Sequence, residues 1–272
     1  MAFNDNMKGA FLMSLAMAGF TVSDAMVKMV ATELNTGQIM FIRGFLTSFL
    51  ITAVAWRMGA FKKPMALLDR WLAVRTACDI LASVLYIQAL TTLPLSNAAA
   101  ILQALPLAVT MGAAILLRES VGWRRWLAIA MGFGGVMVII RPGAEGFTLA
   151  SILVVASVIL AAARDIATKK IDREIPSLQI SAVAAISVAL AGLTLIIPFG
   201  GWRPVTPGHL GLLALGALAL FAGYQAIIMA MRTGEISFIA PFRYTSLLWA
   251  IALAAVLLDE WPDHFMLLGA AI

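Results

Sequence analysis

Cysteine is almost missing from this chain of 272 residues; Cys78 is the only one. No disulfide can form within the chain, and a cysteine-built metal cluster is excluded. Histidine is scarce as well, and His209 and His264 lie far apart, so neither a metal centre nor a cofactor is expected. Charged residues make up 12% of the sequence, about half the ~25% of soluble domains. No polar stretch is long enough for a separate soluble domain. The glycine run Gly132-Phe133-Gly134-Gly135 lacks the Lys-Ser/Thr of a phosphate loop, so close helix packing is its expected role and nucleotide hydrolysis cannot drive any activity directly. The net charge of +5 comes without a basic stripe interleaved with aromatics, which excludes nucleic acid as a partner.

What is abundant is apolar surface. The chain is 62% hydrophobic with a mean hydropathy of +0.97. A single soluble core cannot hide that much, so lipid must be the solvent for most of it. Apolar runs bounded by charges and turn residues predict helical spans over 8–30, 36–56, 71–93, 96–117, 123–140, 148–168, 178–198, 209–231, 237–258 and from 264 onward. The fold class is therefore all-α integral membrane with ten transmembrane helices. Gly9 to Val30 is longer than a signal-peptide core and shows no small-residue cleavage site, so it is read as a retained first helix. Phe265 to Ile272 is too short to cross roughly 30 Å of hydrocarbon, so the last span is expected to continue for ten or more residues.

Basic residues gather on one side. Lys8, Arg57, Lys62, Lys63, Arg70, Arg118, Arg124, Arg125, Lys169, Lys170, Arg173 and Arg232 fall in loops of one face; only Lys28, Arg141 and Arg203 fall on the other. The positive-inside rule then puts the N-terminus in the cytoplasm.

The two halves align at a constant shift of 141 residues. Asp24, Lys28, Glu33 and Gln38 meet Asp165, Lys169, Glu174 and Gln179. Ala89, Thr92 and Ser96 meet Ala230, Thr233 and Ser237, and Leu116-Leu117-Arg118-Glu119 meets Leu257-Leu258-Asp259-Glu260. The expected units are 1–141 and 142–272, each of five spans. An odd number of spans forces the second copy to enter from the opposite face, so the repeats are inverted, a plan shared by many secondary transporters.

Ionisable side chains inside spans are costly and are candidates for function. Arg43, Arg75, Asp79 and Arg243 qualify. Asp79 lies about 13 Å into span three at 1.5 Å per residue, and Arg75 sits one turn earlier on the same face. They are read as a structural ion pair, a gate, or a coupling site. Asp24 and Asp165 each precede a lysine by four residues, the spacing of an interfacial i,i+4 ion pair, with a coupling pair as the alternative; Arg164 is grouped with them. Arg243 and Tyr244 follow Pro241, which frees a carbonyl and bends the helix. Neither is copied in the first repeat, where Leu102 and Gln103 stand, and asymmetric polar positions are the better candidates for substrate contact. Tyr86, Gln88, Gln103, Tyr224 and Gln225 complete a polar and aromatic set able to stack on and hydrogen-bond a flat heteroaromatic ligand, with interhelical hydrogen bonding as the alternative.

The five-plus-five repeat, the acidic residue closing spans four and nine (Glu119, Glu260), the glycine-rich helix Gly132-Phe-Gly134-Gly135-Val136 and the join Ala89-Leu-Thr-Thr-Leu-Pro-Leu-Ser-Asn97 resemble the EamA family of the drug/metabolite transporter superfamily. Ala128 departs from the repeat, where the second copy has Gly269. The resemblance implies a central cavity lined by spans one, three, four, six, eight and nine, and a permease carrying a small organic metabolite across a bacterial inner membrane by alternating access. Asn4-Asp5-Asn6-Met7-Lys8-Gly9 and Phe20-Thr-Val-Ser-Asp24 look most like the RibN-type riboflavin carriers, which implies riboflavin uptake; a related branch is similar to S-adenosylmethionine carriers, and most other relatives look like exporters. A membrane enzyme on lipid-linked substrates is the reading from another class, with Asp259, Glu260 and Asp263 as its only dense acidic group; a membrane scaffold is a third.

Overall fold

Helix starts are written in the caps. Asn35 accepts a hydrogen bond from the Gln38 N–H while the Gln38 side chain returns to the Asn35 N–H, a capping box that opens the second span. Asp69 accepts from the Trp71 and Leu72 N–H groups, Thr148 from Ser151, and Asp263 from Met266. Behind these caps the apolar runs need internal backbone hydrogen bonds, because lipid supplies none, and helix is the form that meets the demand.

The computed structural model describes residues 2–61, 69–116, 122–141, 148–172, 174–233 and 236–272. In chain order these form α1 (Ala2–Val30), α2 (Thr36–Arg57), α3 (Arg70–Leu90), α4 (Leu95–Leu102), α5 (Leu105–Leu116), α6 (Trp123–Ile140), α7 (Leu149–Lys170), α8 (Ser177–Leu195), α9 (Pro207–Thr233), α10 (Ile236–Ile239), a 3-10 turn (Ala240–Tyr244), α11 (Thr245–Leu257) and α12 (His264–Ala271). No strand occurs among the described residues. Eight elements are long and apolar enough to cross a bilayer, Trp126–Ile140 is a shorter apolar helix, and α12 begins the tenth span. Lys62, Lys63, Leu117, Arg118, Glu119 and Arg173 lie outside the described residues, as do the side chains of Arg125, Arg232 and Ser237.

Two expected spans are not single helices. Span four breaks between α4 and α5, where Gln103 and Ala104 turn through i→i−3 bonds to Ala100 and Ile101. Pro106 brings no N–H to the Leu102 carbonyl four residues back, so α-helix cannot run through. Span nine breaks at the 3-10 turn over Ala240–Tyr244, with Pro241 near its start. At the shift of 141 the two breaks adjoin, Tyr244 at the end of one falling on Gln103 at the start of the other.

Packing repeats the inverted symmetry. Span one (α1) packs most extensively on span eight (α9), and span six (α7) does the same on span three (α3). These contacts exchange when the repeats exchange. Span two meets span seven, span four meets span nine and span five meets span ten, each element facing its own counterpart across the axis. The chain is thus two inverted five-helix repeats around a shared centre. Large exposed side chains such as Phe49, Ile197 and Val256 are 68%, 82% and 79% exposed on the outside of the bundle, where lipid takes the place of a core.

Backbones approach closely where spans two and seven cross. Gly37 and Gly192 face one another there, and a Cβ on either would sit 2.9 Å from the other's carbonyl oxygen. Gly44 rests on Ala189 one level further in. Small residues at such a crossing let dispersion and Cα–H contacts act directly between backbones.

Candidate functional site

Below the glycine crossing, toward the face where the basic loops gather, spans two and seven leave room between them. A cavity of about 200 Å³ opens there, lined by Arg43, Thr47 and Ile51 of α2, Ser181, Ala184 and Val188 of α8, Arg75, Asp79 and Ser83 of α3, Asp24 of α1, Arg164 of α7, and Leu220 and Tyr224 of α9. Spans one, two, three, six, seven and eight therefore wall it. Spans four and nine, expected from the family resemblance, contribute nothing to this lining; the small residues that let spans two and seven approach also put those two helices at the centre.

Charge in the cavity comes in opposed pairs. Asp24 stands 4.0 Å from Arg43, whose Nη1 also donates to Ser23 Oγ at 3.3 Å, and Tyr86 donates its hydroxyl to Asp24 at 3.1 Å. Asp79 receives Arg164 Nη1 at 3.0 Å on one oxygen, and its other oxygen lies 3.7 Å from Arg75 Nη1. Arg164 Nε donates to Asp165 at 2.9 Å. Three guanidinium groups thus face three carboxylates, which is how charge is tolerated at this depth. The Asp79–Arg164 bond joins span three to span six, one repeat to the other.

The expected i,i+4 pair of Asp24 with Lys28 is not formed. Asp24 turns to Arg43 and Tyr86, while Lys28 reaches the opposite face, where it meets Glu260 at 3.4 Å and donates to the Leu93 carbonyl at 2.8 Å. Partners from other elements, a helix for Asp24 and loop residues for Lys28, win over the neighbour on the same helix surface. The Arg75–Asp79 pair, by contrast, is present.

The structure brings Asp24, Arg43, Arg75, Asp79 and Tyr224 to one cavity, with Tyr86 and Asp165 bonded to it from behind. Tyr224 packs edge-on to Phe20, ring centroids 5.3 Å apart. Other candidates lie elsewhere. Gln88 accepts from Thr36 at 2.7 Å, and Gln103 donates to Ser246 Oγ at 2.9 Å, both as bonds between helices. Gln225 is half-buried and does not line the cavity. Arg243 and Tyr244 end the 3-10 turn, exposed and away from the lining. Arg164 is a central member that the sequence offered only as a neighbour of Asp165. Two signals marked it: it is an arginine within a predicted span, as Arg43 is, and it has no copy in the other repeat, where Ser23 stands.

The face opposite the basic loops is sealed by bonds between repeats. Glu260 accepts from the Leu95 N–H at 2.8 Å, at the positive end of α4, while holding Lys28. Gln38 donates to the Arg203 carbonyl at 2.8 Å and accepts from the Arg203 N–H at 3.1 Å. Asn35 donates to the Gly201 carbonyl in the turn where Gly200 and Gly201 take positive φ. Glu33 pairs with His209 at 2.9 Å and accepts from Arg203 on its backbone oxygen. Arg141 pairs with Asp263 and lies over the Phe265 ring. Burial pushes the Asp263 carboxyl up, but hydrogen bonds from the Met266 N–H and from Arg141 outweigh it and hold the group below its ordinary 3.8.

A cavity with paired charges on one side and a bonded seal on the other suits a carrier, and known proteins agree. The model of the EamA-like transporter family matches residues 7–141 and again 148–272. A riboflavin transporter of Vibrio cholerae is 32% identical over 206 residues, covering 74% of this chain and 68% of that protein. An S-adenosylmethionine uptake transporter of Rickettsia conorii is 27% identical over 272 residues, covering 97% and 88%. A crystal structure of a protein 18% identical superposes over 100% of this chain and 94% of its own with a TM-score of 0.62, which speaks for the fold. Matched by that family model in both of its halves, the chain belongs to the EamA-like transporter family, whose members here are membrane transporters of small metabolites and not enzymes.

Proposed function

We propose that this chain takes up a metabolite that joins a heteroaromatic ring to polar or charged groups, and that it does so by alternating access. The observation that carries the reading is the polarity of the molecule along the membrane normal. The seal of Lys28–Glu260, Gln38–Arg203 and Glu33–His209 closes one face, while the cavity holding Arg75, Asp79 and Arg164 extends toward the other. Two inverted repeats, 1–141 and 142–272, supply the second packing in which these roles exchange. The basic loops favour the inner membrane with the N-terminus in the cytoplasm, so the cavity faces the cytoplasm.

Two cargoes fit. Riboflavin is favoured by the likeness to the Vibrio cholerae transporter. S-Adenosylmethionine is favoured by likeness over 97% of the chain and by the opposed carboxylates and guanidiniums, which match the ammonium and carboxylate of its amino-acid head. Tyr224 would stack on the ring of either. Uptake of each labelled compound into cells expressing the chain tests the reading, beside Tyr224→Ala, Arg243→Ala and Tyr244→Ala. Accumulation of one compound that Tyr224→Ala abolishes at unchanged protein level supports uptake through this cavity. Loss on Arg243→Ala alone would move the cargo to span nine. Net loss of either compound from preloaded cells would turn the direction to export.

A further inference from the structure

Three guanidinium groups reach the cavity, and one of them is bonded differently. Arg164 has two hydrogen-bonded carboxylates and Arg43 has a serine hydroxyl. Arg75 has neither. Its Nε and Nη1 are buried without a hydrogen-bond partner, and the nearest carboxylate oxygen, on Asp79, is 3.7 Å away. That distance keeps Coulombic attraction but is too long for a hydrogen bond. Thr47, on span two, lines the same cavity, and its hydroxyl is also buried without a partner. Buried donors left unmet are costly, and charged ones most of all. Both belong to residues that line one cavity, Thr47 on span two and Arg75 on span three, so an acceptor that enters it meets both unmet donors once these side chains turn toward it.

We propose that Arg75 and Thr47 form the receptor for a carboxylate of the cargo. A guanidinium holds its donors in one plane at fixed angles, so a carboxylate can take the unmet Nε while Nη1 stays toward Asp79, a directionality that a lysine in the same place could not offer. Asp79 cannot satisfy Arg75 fully, because its other oxygen is held by Arg164 across the repeat boundary. A cargo carboxylate takes the vacant Nε donor of Arg75 and weakens its hold on Asp79. The ammonium of an amino-acid head is then left the carboxylates of Asp24 and Asp79 on the same lining. The receptor selects cargoes carrying an α-amino-acid head over neutral heteroaromatics. This deepens the carrier reading above and rests on it for the cavity's accessibility.

The test uses the purified full-length chain in detergent and in proteoliposomes. Binding of S-adenosylhomocysteine and of its methyl ester is measured by isothermal titration, beside riboflavin and riboflavin 5′-phosphate. The wild type is expected to bind the acid about tenfold or more tightly than the ester. Arg75→Gln and Thr47→Val are expected to shrink that ratio, Arg75→Gln to near one and Thr47→Val part of the way. Arg75→Lys keeps the charge and is expected to restore only a fraction. Because Arg75→Gln is exposed to misfolding, Thr47→Val, a near-isosteric change, carries the test alone if the former fails to express. An acid-to-ester ratio near one in the wild type, a ratio unchanged in the variants, or no binding of either compound overturns the receptor. So does a preference for riboflavin 5′-phosphate over every carboxylate, which would make the site a phosphate receptor. Riboflavin uptake that Arg75→Gln leaves intact, with no binding of the acid, overturns the receptor while the carrier reading stands. Selective binding of the acid without uptake of any compound leaves the receptor and overturns the carrier reading.

Discussion

Adding one methyl group at Gly192 should unseal the face opposite the basic loops. A Cβ there would lie 2.5 Å from the Phe41 amide nitrogen, 2.8 Å from Met40 Cβ and 2.9 Å from the Gly37 carbonyl oxygen, where ordinary contact begins at 3.4 Å. Two of the three obstacles are backbone, so no side chain can swing aside. The crossing of spans two and seven must open by about an ångström, a strain of roughly 1–3 kcal/mol on the scale of overpacked cores. In the alternating cycle proposed above the second packing opens this end, so the strain falls on the sealed packing, where the glycines meet. The balance between packings therefore shifts by about 5- to 150-fold away from the sealed one. The single native cysteine makes the assay simple. In a Cys78→Ser background, Ser96→Cys places a reporter at a position 1% exposed beneath the seal. Its rate of reaction with a membrane-impermeant maleimide should rise at least fivefold in Gly192→Ala. Gly134→Ala is the control, since nothing lies within 4 Å of its Cβ position. An unchanged labelling rate in Gly192→Ala, with an unchanged melting temperature, would refute the argument that backbone contact at this crossing holds the seal.

Other expectations follow from the same face. Gln38→Ala removes the reciprocal cap on Asn35 and both bonds to Arg203 from a fully buried position, and should cost about 2–4 kcal/mol at ~1 kcal/mol per bond, read by chemical denaturation in detergent. Glu260→Gln keeps an acceptor for the Leu95 N–H but loses the charge that faces Lys28, so it should melt between the wild type and Glu260→Ala. For Asp263 the native carboxyl ionises more readily than the unfolded one. Its contribution is complete above the unfolded value of 3.8 and is lost as pH falls through the lower native one. The stability gap between wild type and Asp263→Asn should then be level above pH 3.8 and close below it; a gap that instead opens as pH falls would reverse the assigned sign. Asp263→Ala should be worse than Asp263→Asn at every pH, because asparagine still caps Met266.

Much of the architecture was legible because lipid imposes a simple demand. Apolar length gives the spans, lysine and arginine give the faces, and the shift of 141 residues gives the inverted symmetry that the packing of spans one on eight and six on three repeats. The pairings inside were less legible. A hydropathy run cannot say that Asp24 will face Arg43 on another helix in place of Lys28 on its own, because both are within reach and burial decides. Pro241 announced the break in span nine, whereas Pro106 lies within an uninterrupted apolar run that reads as one helix. Glycine and alanine on spans two and seven bring those helices to the wall of the cavity that holds Arg43 and Asp79, while Arg243 lies off its lining. That contribution comes from what the side chains lack, and polarity-based reasoning overlooks it.

The paired breaks at Gln103–Ala104 and Ala240–Tyr244 sit at adjoining places in the two copies, inside the two helices that face each other across the axis. Duplication has therefore given the molecule two joints of common descent but different make. One is a plain turn followed by proline, and the other is a 3-10 coil that contains one. In the inverted arrangement the short helix before each break points to a different side of the bundle. In the alternating-access cycle proposed above, a substitution that stiffens one joint is expected to slow one stroke and spare the other. The relative rates of the two strokes can thus be tuned by evolution through these few residues without touching the cargo's contacts, while the direction of net flow stays with the gradient.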